Sequence, residues 1–172
     1  MNKTIFAIFG PPCSGKSTLD LAIGKRFPGT YTVAYDKIKW RLSGYDRKMH
    51  RPLIESLLFG FFEVACKQGL PITLEAFMND EAEYSRYEKV ATDNGYRIVP
   101  IELQPPEDVL IARFRKRVAD AKSVGKKISV TDENVYRESI GWRSFVPRGT
   151  PVFDTSKVTA EEIVDEISQM KW

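Results

Sequence analysis

Residues 4–18 read Thr4-Ile5-Phe6-Ala7-Ile8-Phe9-Gly10-Pro11-Pro12-Cys13-Ser14-Gly15-Lys16-Ser17-Thr18. The run from Thr4 to Phe9 carries no charge and stops at Gly10-Pro11-Pro12, which predicts a buried strand with an abrupt exit. The next residues satisfy G-x-x-x-x-G-K-[ST] at every fixed position. A polyphosphate carries several negative charges and many acceptor oxygens. Successive backbone N–H groups can converge on it only where the chain turns tightly without a Cβ in the way, which glycine permits. A helix opening near Gly15 adds unpaired N–H donors and a positive dipole end. Lys16 supplies a cation for the β and γ phosphates, and Ser17 offers a hydroxyl to Mg²⁺. The stretch Gly10, Pro11, Pro12, Cys13, Ser14, Gly15, Lys16, Ser17 and Thr18 is therefore expected to hold nucleotide phosphates, with Ser17 as the metal ligand. Cys13 occupies a variable position of the loop; a helix start can activate a thiol, and a small inert filler is the plainer reading.

Outward from this loop, apolar runs alternate with helical patterns. A helix is expected over residues 15–26, closed by Pro28-Gly29, and a strand over Thr30–Tyr35. A short helix through Trp40 breaks near Ser43-Gly44. Residues 50–67 read as a long helix whose apolar side is Leu53, Leu57, Phe61, Val64 and Ala65. Leu70–Phe77 is a third strand, residues 80–93 a charged helix stopped by Asn94-Gly95, and Tyr96–Leu103 a fourth strand. Pro105-Pro106-Glu107-Asp108 opens a helix to about Ala121, since proline and acids suit a first turn. Lys122, Lys126 and Lys127 lie in a basic loop, and Thr131 is expected to cap a helix running to about Phe145. A last short strand, Pro151–Phe153, precedes a helix whose start has capping-box spacing at Thr159 and Glu162. Five short strands alternating with helices predict a parallel sheet covered on both faces, an α/β chain. Residues 113–145 interrupt the alternation. They read as a flap on a single domain spanning residues 1–172, too polar to supply a core of their own.

Composition sets the outer limits. The chain has 172 residues, 42% hydrophobic and 28% charged, enough for one globular domain with a real core. Net charge is +3, which does not by itself point to nucleic acid and fits a small anionic substrate if the cations cluster. Cys13 and Cys66 are far apart, and with the single His50 they make no metal-ligand spacing. Reduced thiols and a cytoplasmic setting are expected. No stretch reads as an export signal or a membrane span.

The chain resembles the small P-loop kinases, in particular the group that includes polynucleotide 5′-hydroxyl kinases, chloramphenicol phosphotransferase and the zeta-type toxins. The residues that carry the likeness, beyond the phosphate loop, are Ala34-Tyr35-Asp36-Lys37-Ile38-Lys39 at the end of the second strand, Leu74-Glu75-Ala76-Phe77 at the end of the third, Arg113-Phe114-Arg115-Lys116-Arg117 leading into a lid, and Val152-Phe153-Asp154-Thr155-Ser156 near the end. The chain departs from the group's pattern in having Glu75 for Asp, Lys39 for Arg and Phe114 for Leu. The resemblance implies a three-layer α/β/α P-loop NTPase fold with a five-stranded parallel sheet and a helical lid at about 113–145. It implies ATP and Mg²⁺ as cofactors and transfer of the γ-phosphoryl group to a hydroxyl-bearing small molecule or nucleotide-like acceptor.

Roles follow, each with a plainer rival. Asp36 at a strand end can take the proton of an attacking hydroxyl, or merely cap a helix starting at Lys37. Glu75 can place metal or acceptor, or be a buried acid paired with a base. Arg113 and Arg117 share a helix face. The resemblance assigns Arg113 to the adenine side and Arg117 to the transferring phosphoryl group; a solvated basic face is the alternative. Lys39 can meet an anionic acceptor or lie on the surface. Trp40, Phe59, Phe61, Phe62 and Phe77 can shape an apolar pocket or pack in the core. Two other functions stay open: a nucleotide-binding switch with little turnover, against which the absence of Asn-Lys-x-Asp counts, and a nucleic-acid 5′-hydroxyl kinase, against which the weak net charge counts.

Overall fold

The computed structural model describes residues 3–125, 127–142 and 144–170. Lys126, one of the expected loop cations, lies outside them. The first strand, β1 (Thr4–Phe9), is buried along its whole length because it serves two cores. Ile5, Ala7 and Phe9 point into one hydrophobic cluster, while Phe6 and Ile8 point into another on the opposite face. A period-two strand with both faces apolar can only lie between two helical layers.

Those layers are supplied in chain order. The helix α1 (Lys16–Arg26) follows β1, and β2 (Tyr31–Ala34), α2 (Tyr35–Lys39) and α3 (Arg47–Lys67) come next. Then come β3 (Ile72–Glu75), α4 (Glu81–Asp93), β4 (Arg97–Leu103), α5 (Glu107–Ser123), α6 (Glu133–Ile140), β5 (Val152–Phe153) and α7 (Ala160–Gln169). The sheet order is β2-β3-β1-β4-β5 and every pairing is parallel. Ile5 pairs with Ile72 on one side and Ile98 on the other, which centres β1. One core lies under α3 and α4 with Leu58, Phe62, Leu74 and Tyr87; the other lies under α1 and α7 with Leu19, Ile23, Ile101 and Ile163. The expected α/β/α architecture with five parallel strands is therefore present. No helix among the described residues is long and apolar enough to cross a membrane.

Several local expectations are corrected. Tyr35 opens α2 instead of closing β2, and β3 is shorter at both ends than Leu70–Phe77. The cap of α6 is Asp132, whose side chain accepts from the amides of Asn134 and Val135, and not Thr131; the helix stops at Ile140 before Gly141. On α3, Leu53, Leu57, Phe61 and Val64 are 47%, 43%, 45% and 58% exposed, whereas Ile54, Leu58, Phe62 and Cys66 form the buried stripe. That helix is apolar almost all round, so its periodicity does not choose a face; contact with the sheet does. Residues 113–145 also contribute to a small core, because Phe114 and Tyr136 are buried with Leu110 and Ile111. The capping box at Thr159 and Glu162 is present as expected.

Candidate active site

The phosphate loop joins β1 to α1 in a conformation that its glycines make possible. Gly10 has φ 137°, Cys13 φ 64° and Gly15 φ 106°. A Cβ on Gly10 would lie 2.5 Å from the Leu103 carbonyl oxygen and 2.8 Å from Ser14 Oγ, so nothing larger fits. Cys13 takes the left-handed conformation without that freedom, a local strain typical of functional loops. Its side chain packs on the Leu110, Phe114 and Tyr136 cluster. Ser14 donates its amide to the Pro11 carbonyl, while Thr18 and Leu19 donate theirs to Gly15. Among the described residues, the amides of Cys13, Gly15, Lys16 and Ser17 have no acceptor. Ser14 Oγ is buried and also lacks a partner. Unpaired donors at the start of an eleven-residue helix fit an anion of several oxygens.

Lys16 Nζ donates to the Gly10 and Pro11 carbonyl oxygens, 2.9 Å each, and pairs with Glu75 at 3.5 Å. Burial pushes the Glu75 carboxyl above its ordinary range; Lys16 opposes the shift and Asp36 adds to it. Ser17 is exposed on the first turn of α1, with its hydroxyl open to the same cleft. With the carboxylates of Asp36 and Glu75 lining that cleft, the donors are all hard oxygens, which suits Mg²⁺.

Asp36 lies in the first turn of α2, two residues after the N-cap Ala34. Its carboxylate pairs with Lys39 Nζ at 2.5 Å instead of capping the backbone, so the helix-cap reading is overturned. Lys39 is not a surface cation. It is buried, reaches Ser129 Oγ at 2.7 Å, and so ties α2 to the loop after α5. Arg113 is engaged at both terminal nitrogens: it donates to Thr155 Oγ1 at 2.8 Å, to the Thr155 carbonyl at 2.7 Å and to the Cys13 carbonyl at 3.5 Å. Thr155 Oγ1 in turn donates to the Ser14 carbonyl at 2.8 Å. Arg117 is exposed, lines the cleft and has no hydrogen bond or ion pair among the described residues. His50 bonds the Asp46 backbone and does not line the cleft.

The cleft measures about 1630 Å³ and contains every residue of the phosphate loop that was expected except the buried Ser14. It also gathers Asp36, Lys39, Glu75, Arg113 and Arg117. Two supporting residues escaped the sequence reading. Tyr136 is 1% exposed, stacks on Phe114 at 4.1 Å and donates its hydroxyl to the Pro12 carbonyl at 2.9 Å, fixing the loop from above. Asp20 is buried on α1 and accepts from Thr32 Oγ1 at 2.8 Å, Thr73 Oγ1 at 2.5 Å and Lys37 Nζ at 2.9 Å. A lone acid among Leu19, Ala22 and Ile23 on the core face of a helix was the available signal for Asp20.

A central parallel sheet, a phosphate loop between β1 and α1, and a helical excursion packed over that loop define a P-loop fold of the kinase-like type. The chain belongs to the AAA_33 family, an AAA domain, whose match covers residues 5–138. Among solved structures, a candidate kinase from Chloroflexus aurantiacus is 20% identical, with each chain covered over 100% of its length and a TM-score of 0.75. The APS kinase CysC of Mycobacterium tuberculosis, solved in complex with AMPPNP and APS, is 15% identical with a TM-score of 0.62, covering 97% of this chain and 95% of that one. The tunicamycin resistance protein of Deinococcus radiodurans is 18% identical with a TM-score of 0.58, covering 96% and 93% respectively. At such identities the likeness is one of fold. No curated protein sequence matches the chain.

Proposed function

We propose that the protein is an ATP-dependent kinase that transfers the γ-phosphoryl group to a hydroxyl of a small molecule. The observation that carries this reading is a single cleft joining unpaired loop amides to a carboxylate at a strand exit and an unengaged arginine. The loop amides and Lys16 bind the phosphates, Lys16 exchanging its two carbonyl acceptors for phosphate oxygens. Mg²⁺, held by Ser17, would offset charge on the β and γ oxygens when bound. Asp36 orients the acceptor hydroxyl and takes its proton. The hydroxyl oxygen forms a bond to the γ phosphorus, the bond from that phosphorus to the β–γ bridging oxygen breaks, and ADP leaves. Arg117 reaches the charge that spreads over the moving group. Arg113 acts through Thr155 and the loop backbone. Residues 1–172 form one domain in this reading, and about 113–145 is the lid that excludes water as a competing acceptor.

The test is AMPPNP binding and acceptor-dependent ADP release across a set of alcohol-bearing metabolites, nucleosides and antibiotics. Wild-type protein is expected to bind AMPPNP with Mg²⁺ and to release ADP above the ATP-only background with some acceptor. Lys16→Ala is expected to lose nucleotide affinity by about 10²–10³-fold, as when a charge-assisted contact to a phosphate is removed. Undiminished binding in that variant would refute the loop assignment.

A further inference from the structure

The phosphate loop divides the cleft. β1 has β3 and then β2 on one side, and β4 and β5 on the other. In an open parallel sheet, ligands gather outside the carboxyl ends of the strands where the connections diverge. Arg113 and Thr155 belong to the β4–β5 side. The β2–β3 side is different in kind, because large rings line it. Trp40 follows α2 and is 47% exposed, Phe77 follows β3 and is 43% exposed, and Trp142 follows α6 and is 50% exposed. A single exposed ring on a surface needs no explanation, but three from separate elements converging on one cleft do.

The convergence is built. Ser144 Oγ accepts from the Met78 amide at 2.9 Å and donates to its carbonyl at 3.0 Å, and the Phe145 amide donates to the same carbonyl at 2.7 Å. These bonds pin Ser144 and Phe145, shortly after Trp142 in the chain, beside the exit of β3 at Met78, the residue after Phe77. The Arg47 guanidinium lies 4.6 Å from the centre of the Trp142 ring, and Lys39 Nζ lies 5.2 Å from that of Trp40. Cations over the rings hold them in place. Tyr35 and Tyr45 share a hydroxyl–hydroxyl hydrogen bond of 2.9 Å in the same part of the cleft, a polar handle that can donate or accept.

We propose that the phosphoryl acceptor is an alcohol carrying a flat aromatic or heteroaromatic ring, stacked against Trp40, Phe77 and Trp142 while its hydroxyl reaches Asp36. The proposal rests on the kinase reading of the same cleft and adds a substrate class to it. An aliphatic alcohol would leave this apolar area wet, whereas a ring removes it from water on both partners and gains stacking.

The experiment uses two matched pairs of probes, uridine against ribose and 1-phenylethane-1,2-diol against propane-1,2-diol. Two readouts are followed with each: ADP release with MgATP, and quenching of tryptophan fluorescence in the presence of MgAMPPNP. The ring-bearing member of at least one pair is expected to quench saturably and to exceed its ring-free partner at least tenfold in affinity or kcat/KM. Trp142→Ala and the milder Phe77→Leu are expected to bring that ratio down about tenfold towards parity. Saturable quenching by a ring-bearing probe alone supports the wall even if that probe is not phosphorylated. Equal behaviour within both pairs, or no binding of any ring-bearing probe while MgAMPPNP still binds, overturns the proposal and leaves the kinase reading standing. Failure of MgAMPPNP itself to bind removes both.

Discussion

The two ends of the cleft are made of different material. At the phosphate end the work falls to main-chain groups of one continuous stretch, residues 10–18, held by hydrogen bonds inside the loop and by Tyr136 and Thr155 from outside. At the ring-lined end nothing is continuous. Trp40, Phe77 and Trp142 follow three different elements and line one cleft, where Ser144 and Phe145, shortly after Trp142 in the chain, are fastened to Met78, the neighbour of Phe77. A site built from backbone depends on residue order and on where glycine falls. A site built from side chains depends on tertiary packing, and can be rebuilt by substitution without disturbing the loop. In the function proposed above, the same fold can therefore keep its nucleotide and change its acceptor.

The largest expected effect lies between the two ends. Asp36 pairs with Lys39 and lines the cleft beside both. Asp36→Asn keeps the shape and removes the proton acceptor. AMPPNP affinity is expected to stay within a few-fold of wild type while kcat for phosphoryl transfer falls by about two to four decades. Full-rate transfer by the variant would take Asp36 out of the mechanism. It would also mean that the join between the two ends lies elsewhere, with Glu75 as the next acid to test.

The second contrast lies within the phosphate end. Gly10→Ala meets the Leu103 carbonyl at 2.5 Å and imposes a side chain on φ 137°. Gly15→Ala faces only Thr155, at 3.7 Å, and suffers from φ 106° alone. Strain and crowding together predict a loss of about 2–5 kcal/mol for Gly10→Ala, against about 1–2 kcal/mol for Gly15→Ala. Urea unfolding of both variants measures the difference. Equal losses would mean that the loop relaxes freely and is less tightly specified than its geometry indicates.

How much of this could be read from sequence follows the same division. The G-x-x-x-x-G-K-S stretch carried the fold, the turn of the loop and the places of Lys16 and Ser17 on α1, because local spacing dictates local backbone. The strand exits at Asp36 and Glu75 were legible for the same reason. What failed was any question of which way a side chain faces. Phe61 and Phe62 are neighbours in sequence, yet Phe61 is 45% exposed and Phe62 fully buried. Lys39 reads equally as a contact for an anionic acceptor or as a surface cation, and its burial between Asp36 and Ser129 shows only in the structure. Tyr136 lies far from the loop in sequence and gave no local sign that its hydroxyl reaches Pro12. The ring-lined wall was visible only as single aromatics, since non-local contacts assemble it.

Tyr136 offers a smaller test of how independent the two ends are. Tyr136→Phe removes the bonds to the Pro12 and Leu110 carbonyls and keeps the ring stacked on Phe114. A buried neutral hydrogen bond of this kind is worth about 1 kcal/mol. Thermal unfolding is expected to show a loss of that order, and AMPPNP affinity a decrease of about fivefold. Acceptor selectivity should not move, because the bond acts on the loop. A change in acceptor preference without a change in nucleotide affinity would show that Tyr136 serves the other end.

The smallest effect is expected at the rim, where Glu133 joins α6 to α5. Its carboxylate accepts from Arg115 and Arg137, and these hydrogen bonds, Arg115's first, hold its pKa down at about 2 against an ordinary 4.5. A depressed carboxyl stabilises the fold above the ordinary value and loses that contribution as pH falls towards the depressed one. The interval is therefore from about 4.5 down to about 2. The group is exposed, so salt screens the effect and its size is modest. Hydrogen-exchange protection of α6 should fall across that interval at low salt and change less at high salt, and Glu133→Gln should flatten the response. Protection of β1, buried between two cores and making no bond to Glu133, should stay level over the same range. If β1 and α6 lost protection together, the excursion over the loop would be part of one cooperative unit with the sheet, and a lid that opens by itself would not be available to this protein.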